Sequence, residues 1–167
     1  MRNLLSSTVP FGLATARETV PDVVREVLTS MQRRLDEASA RVELDLPSGL
    51  PDVVWDRVKV QQALQELLTN SLEAGARLIR VRGRETNGTH PAAIDLEITD
   101  DGSGLAPGVQ ERAFEAFFTT KSRGTGVGLA TVRRVAEAHA GTVSIGPGAD
   151  GGARLILSLP LQAPAHG

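Results

Sequence analysis

The chain has 167 residues, 41% apolar and 23% charged, with a formal net charge of −2; this fits one globular domain large enough to bury a real core. It contains no cysteine, which excludes disulfides, zinc thiolates and a cysteine nucleophile. No Lys/Arg cluster offsets the charge, so there is no electrostatic footprint for nucleic acid, and no apolar run approaches the roughly 18 residues that span a bilayer.

Taken in order, the chain opens on MRNLLSSTVPFGLATAR. Ser6, Ser7, Pro10 and Gly12 interrupt its apolar residues, so no continuous signal-peptide core forms. Residues 1–19 are expected to be a linker or the stub of an upstream element. Residues 21–38 predict a helix: Pro21 suits a first turn, and Val24, Val27, Leu28, Met31, Leu35 and Ala38 recur at helical spacing. Arg41–Leu46 alternates and predicts a strand, followed by a Pro/Gly loop over 47–52.

A second helix is expected from an Asp56 N-cap to Ala74, with Gly75 at its end. Its core face is Val60, Leu64, Leu67, Leu68 and Leu72. Gln62, Glu66, Asn70 and Glu73 form another stripe, since residues four apart lie one turn above each other. Such a stripe is ordinarily a solvated face. Asn70, however, is a poor helix former in mid-helix with no capping task. Glu66 and Asn70 together could hold a hard cation and a water.

Leu78–Arg84 and Ala92–Thr99 predict strands joined across Asn87-Gly88, a hairpin dipeptide. Ile94, Leu96 and Ile98 share one face, and Asp100 continues that parity inward. An inward carboxylate needs donors. It is either a turn acid or an acceptor for an exocyclic amino group. Then come two glycine-rich turns, DDGSGL and GTGVGL, bracketing Phe114, Phe117, Phe118 and Lys121. The second turn leads into a helix ending near Ala140, with Gly141 as terminator. A helix N-terminus approached through glycines offers unpaired N–H groups to an anion. His139 lies near that helix's C-terminus, where the dipole favours an imidazolium, and with no nucleophile motif beside it a structural role is expected. Thr142–Ile145 and Arg154–Leu159 predict a last hairpin, and residues 161–167 a frayed tail.

Four motifs occur in order: ELLTNSLEAG, DDGSGLAPG, AFEAFFTTK and GTGVGLATVRRVAEAHAG. They resemble the Asn box, first glycine box, Phe box and second glycine box of the ATP-binding catalytic domain of sensor histidine kinases. That domain belongs to the superfamily that also holds gyrase, heat-shock chaperone and mismatch-repair ATPases. The resemblance covers residues 20–160, and EAFFTTKSRGTGVGLA is most similar to the nitrogen-regulation type, which has a short lid.

The resemblance implies an α+β fold, a two-layer α/β sandwich of the Bergerat type with helices on one face of a mixed sheet, and it implies ATP and Mg²⁺ as cofactors. Asn70 would bind the metal and Asp100 the adenine amino group. Gly102 and Gly104 would let the backbone approach the nucleotide, with Ala74 and Leu105 beside it. Lys121 and the N–H groups of Gly124, Thr125, Gly126, Val127, Gly128 and Leu129 would meet the phosphates. Residues 106–123 would form a mobile lid.

Three departures stand out. Glu66 replaces a second Asn common among histidine kinases and resembles the general base of the hydrolytic and serine-kinase branches. Glu73 stands where many relatives carry a basic residue. The chain's histidines, His90, His139 and His166, all lie in or after the matched region, so none is a phosphoacceptor on an upstream helix. The expectation is therefore a protein-histidine kinase domain acting on a histidine of a separate dimeric helical domain, with a response regulator as indirect partner. The domain itself is expected to be a cytoplasmic monomer without nucleic-acid or membrane contact. A stand-alone serine kinase of the anti-sigma type and a non-catalytic ATP-sensing module are the alternatives.

Overall fold

The computed structural model describes residues 12–86, 91–104 and 128–164. Alternation along the strands builds the central sheet. In β4 (Leu78–Thr86) Ile79 and Val81 are buried while Arg80, Arg82 and Arg84 face out; in β5 (Ala93–Asp100) the buried set is Ile94, Leu96, Ile98 and Asp100. Together with β2 (Arg41–Asp45), β6 (Thr142–Pro147) and β7 (Ala153–Pro160) they form a five-stranded sheet of order β2-β4-β5-β7-β6. Among the described strand pairs of this sheet, only β2–β4 is parallel. The register sets Val81 opposite Ile98 and Ile98 opposite Leu155, so the apolar residues stack on one face. The other face carries Arg and acidic side chains that pair across strands, as in Arg80–Glu43 at 3.0 Å and Arg82–Asp45 at 3.4 Å.

Helices cover the apolar face, which makes the expected α+β two-layer sandwich with a mixed sheet. Helix α1 (Val20–Ser30) starts at Thr19, whose hydroxyl accepts the Asp22 N–H at 3.4 Å. The continuous helix expected over 21–38 is in fact two. Met31 interrupts it at φ −101° and ψ 3°, and α2 (Gln32–Glu37) follows. The Met31 N–H is shared between the Val27 and Leu28 carbonyls. The apolar stripe thus continues across the break, with Met31 and Leu35 both buried, and no Gly or Pro marks the place.

Helix α3 (Arg57–Glu73) has the expected cap, Asp56 accepting the Lys59 N–H at 3.1 Å. Its buried side is Val60, Ala63, Leu64, Leu67, Leu68 and Ser71, with Leu72 only half-buried. Helix α4 (Gly128–Ala138) presses Val132, Val135 and Ala136 into the same core. It stops two residues before the expected Ala140, which itself turns left-handed at φ 61°.

The fold extends past both ends expected for it. Within residues 1–19, anticipated as a linker or stub, β1 (Ala16–Glu18) pairs antiparallel with β3 (Val53–Trp55). Residues 161–163, anticipated as frayed, are tied in: Leu161 donates to the Ala92 carbonyl and Ala163 to that of Val54. Trp55 is fully buried, its indole N–H donating to the Pro160 carbonyl at 2.7 Å. Apart from the indole bond, these attachments are main-chain bonds over two or three residues, too short for any hydrophobic period to register.

No helix among the described residues is long and apolar enough to cross a membrane.

Candidate nucleotide site

The site is laid out along α3. The candidate residues run from Glu66, on its polar stripe, to Ala74, its C-cap. At about 1.5 Å rise per residue, these two are roughly 12 Å apart. Glu66 and Asn70 are half-buried, whereas Gln62 and Glu73 are exposed, so the stripe is not uniformly solvated. Gly128, the first residue of α4, lies against the Glu66 side chain so closely that a Cβ there would collide with Oε1. A side chain at this position would have to push the carboxylate, the movable end of Glu66, aside.

The opposite end meets the turn after β5. A Cβ on Gly102 would lie 2.7 Å from the Ala74 carbonyl oxygen and 2.8 Å from the Ala74 Cβ, and Ser103 N–H donates to the same carbonyl at 2.9 Å. Gly104 takes φ +78° and abuts the Gly151 carbonyl, a conformation that L side chains rarely adopt. Asp101 braces the turn, its Oδ1 accepting N–H bonds from Arg77 at 2.8 Å and Leu78 at 3.0 Å. Those bonds, Leu78 foremost, hold its carboxyl below the usual carboxylate range.

Asp100 points inward as its parity requires and is 4% exposed. Its Oδ2 accepts the Ser71 hydroxyl at 2.7 Å, while Oδ1 accepts N–H bonds from Gly102 at 2.9 Å and Ala153 at 3.3 Å. A carboxylate has about four lone-pair sites, so three donors fix its orientation and leave acceptor capacity. Gly152 makes room for this: a Cβ there would collide with the Asp100 carbonyl and Oδ1.

Sequence reasoning missed three of these supporting residues. Ser71 had a signal, as a polar residue on the apolar stripe of α3 that needs an internal partner. Gly152 and Ala153 had only the Gly-Gly pair before β7, and nothing in the pattern said that β7 begins beside Asp100.

His139 is fully buried, as a structural residue should be, but the expected imidazolium is corrected. Its Nε2 accepts the Asp56 N–H at 3.1 Å, and its Nδ1 meets the Val135 carbonyl at 2.9 Å. That pairing requires the neutral tautomer with hydrogen on Nδ1. Burial, the largest influence, pushes the imidazole pKa down. The helix-end field does not overcome it.

Of the residues singled out from sequence, Glu66, Asn70, Ala74, Asp100, Gly102, Gly104, Gly128 and Leu129 are described. The structure brings Glu66, Asn70, Ala74, Asp100, Gly102 and Gly128 to α3 and its two ends, while Gly104 lies against Gly151 and Leu129 packs on the core. Leu105, Lys121, Gly124, Thr125, Gly126 and Val127 lie outside the described residues, as do the expected lid over 106–123, its three Phe residues, and His90 and His166.

The sheet order, the helical layer and the buried acid beside a glycine turn define an ATPase-type α+β sandwich. Residues 55–163 match the family model described as histidine kinase-, DNA gyrase B- and HSP90-like ATPase, and the chain belongs to this family. It is 40% identical over 127 residues to the sensor protein FixL of Bradyrhizobium diazoefficiens, which covers 74% of this chain and 25% of that protein. It is 35% identical over 161 residues to the sensor histidine kinase ZraS of Escherichia coli O157:H7, covering 95% of this chain and 34% of that one. Among solved structures, full-length ShkA in complex with AMPPNP superposes with a TM-score of 0.82 at 26% identity, over 96% of this chain and 34% of that chain. The ATP-binding domain of PrrB from Mycobacterium tuberculosis gives 0.71 at 26% identity, over 90% of this chain and 98% of that one. The chain thus spans about a quarter to a third of these two curated relatives.

Proposed function

We propose that this chain is the ATP-binding catalytic domain of a two-component sensor histidine kinase, passing the γ-phosphoryl group of ATP to a histidine on a separate dimeric helical domain. A response regulator would then receive it, and the domain would work in the cytoplasm. The observation that carries this reading is Asp100: a buried carboxylate, oriented by three donors and with acceptor capacity left, suits the amino group of adenine and repels the guanine carbonyl. The α3 track then runs from the base towards Gly128, where the N-terminus of α4 would meet the phosphates along with Lys121 and the N–H groups of Gly124 to Leu129.

The donor set also fits a magnesium ion. Among the described residues no cluster of three acidic or His side chains could hold a metal by itself, and Mg²⁺ commonly takes few protein ligands beside substrate phosphates. Asn70 would hold it through its amide oxygen, and the ion when bound supplies charge neutralisation between phosphates. Glu66, against the start of α4, would orient or deprotonate the acceptor imidazole. His139 has both ring nitrogens engaged in the core, which supports an acceptor on another domain.

Calorimetry with ATP and GTP in the presence of Mg²⁺ tests this reading. Leaving a buried polar group unpaired costs about 1–3 kcal/mol, so ATP should bind roughly tenfold more tightly or better. Asp100→Asn should abolish the preference. Equal affinities, or unchanged ATP affinity in Asp100→Asn, would refute the assignment.

A further inference from the structure

We infer that Asp56 is a positioning residue that ties the segment entering the domain, Ala14–Glu18, to the C-terminal end of α4, so that docking of that segment and binding at the opposite end of α4 favour one another. In its nucleotide arm this rests on the ATP reading of the site.

Helices α3 and α4 run antiparallel and are matched in length between two fixed points. At one, Gly128 sits against Glu66; at the other, the Asp56 N–H is held by His139 Nε2 at 3.1 Å. Between them Val132, Val135 and Ala136 are fully buried against the shared core. A shift of α4 along α3 therefore has to break the polar link at one end to open the contact at the other.

Asp56 does more than cap α3. Its Oδ1 accepts the Lys59 N–H at 3.1 Å, and Oδ2 accepts the Ala14 N–H at 2.8 Å. One residue thus bonds the entering chain through its side chain and the end of α4 through its backbone, and it is 3% exposed. The entering segment is fixed a second time at Glu18, whose carboxylate pairs with Arg57 at 2.6 Å, the next residue of α3. Between these anchors β1 makes only three register pairs with β3. So short a strand is readily released, and its release would leave Oδ2 of Asp56 without the Ala14 N–H.

By linkage, such coupling is reciprocal. Two variants test it from opposite sides. Asp56→Ser keeps a hydroxyl to cap α3 but has no second oxygen for Ala14 and also gives up the Lys59 ion pair; Ala14→Pro removes the N–H donor and fixes the backbone at residue 14, but leaves Asp56 and its Lys59 contacts intact. The 167-residue chain is followed by hydrogen exchange with and without a non-hydrolysable ATP analogue and Mg²⁺, and its affinity for the analogue by calorimetry. Without nucleotide, both variants should exchange the Val132–Ala138 amides about fivefold faster, with β5 and β7 unchanged, and both should bind the analogue about fivefold more weakly. In the unaltered chain the analogue should slow exchange at Ala14 and β1. Unchanged α4 exchange in folded Ala14→Pro overturns the inference, as does acceleration spread evenly over β5 and β7. If the unaltered chain binds no analogue, the ATP reading fails alone, and the nucleotide-free comparison still decides the coupling.

Discussion

Two adjacent acids, Asp100 and Asp101, show how a single residue step divides tasks. Parity turns the first inward, to Ser71 and the Gly102 and Ala153 N–H groups, and the second outward to brace the turn on Arg77 and Leu78. Ser71→Ala should leave Asp100 Oδ2 short of its hydroxyl donor. The expected cost is about 1–3 kcal/mol of stability, read as a lower urea midpoint, together with weaker ATP binding; an unaltered midpoint and affinity would show that Ser71 does not hold the acid. Glu66→Ala and Asn70→Ala should separate by phenotype. Asn70→Ala should lose the Mg²⁺-dependent part of binding, whereas Glu66→Ala should keep binding and lose turnover. Equal loss of affinity in both, with or without Mg²⁺, would contradict that division.

At the scale of elements, the junction of α3 and α4 makes stability depend on pH. His139 is neutral in the fold with its pKa pushed down by burial, while the unfolded chain titrates near about 6.5. Below that value the unfolded state binds more protons, so stability is full above about pH 6.5 and declines as pH falls. Asp56 acts in a different window. Burial pushes its carboxyl up, but the Ala14 and Lys59 N–H bonds and the Lys59 charge outweigh this and hold it low, so its contribution is lost only below about pH 4. Chemical denaturation at pH 7.5 and 5.5 should therefore show a loss of stability in the unaltered chain and a smaller one in His139→Gln. An equal loss in both would mean that His139 is not the titrating group.

Elements with a strong period were legible in the sequence: α3 with its Asp56 cap, the inward Asp100, the β6–β7 hairpin and the α+β class. What escaped it was carried by main-chain bonds or by burial. The break at Met31 leaves the apolar stripe intact. β1 and β3 are too short to alternate. The charge state of His139 depends on burial, which the helix-end position in the sequence does not show. Of the site, the α3 stripe and the glycine turns were visible, but the donors around Asp100 come from three separate elements that only folding brings together.

For the whole molecule, the proposed kinase reading turns on where a phosphoryl group would go. Transfer needs the acceptor nitrogen close to and in line with the γ-phosphate. His139 is buried at the far end of α4, at about 1.5 Å per residue some 15 Å or more from Gly128, and a docked partner domain would supply both nucleophile and effective concentration. The decisive measurement is transfer of radiolabelled γ-phosphate by this chain, with and without a dimeric helical domain bearing the acceptor histidine. Little or no label is expected on the chain alone, and an acid-labile, base-stable label on the partner. Stoichiometric labelling of the isolated chain, or an acid-stable or base-labile product on the partner, would contradict the histidine-kinase reading.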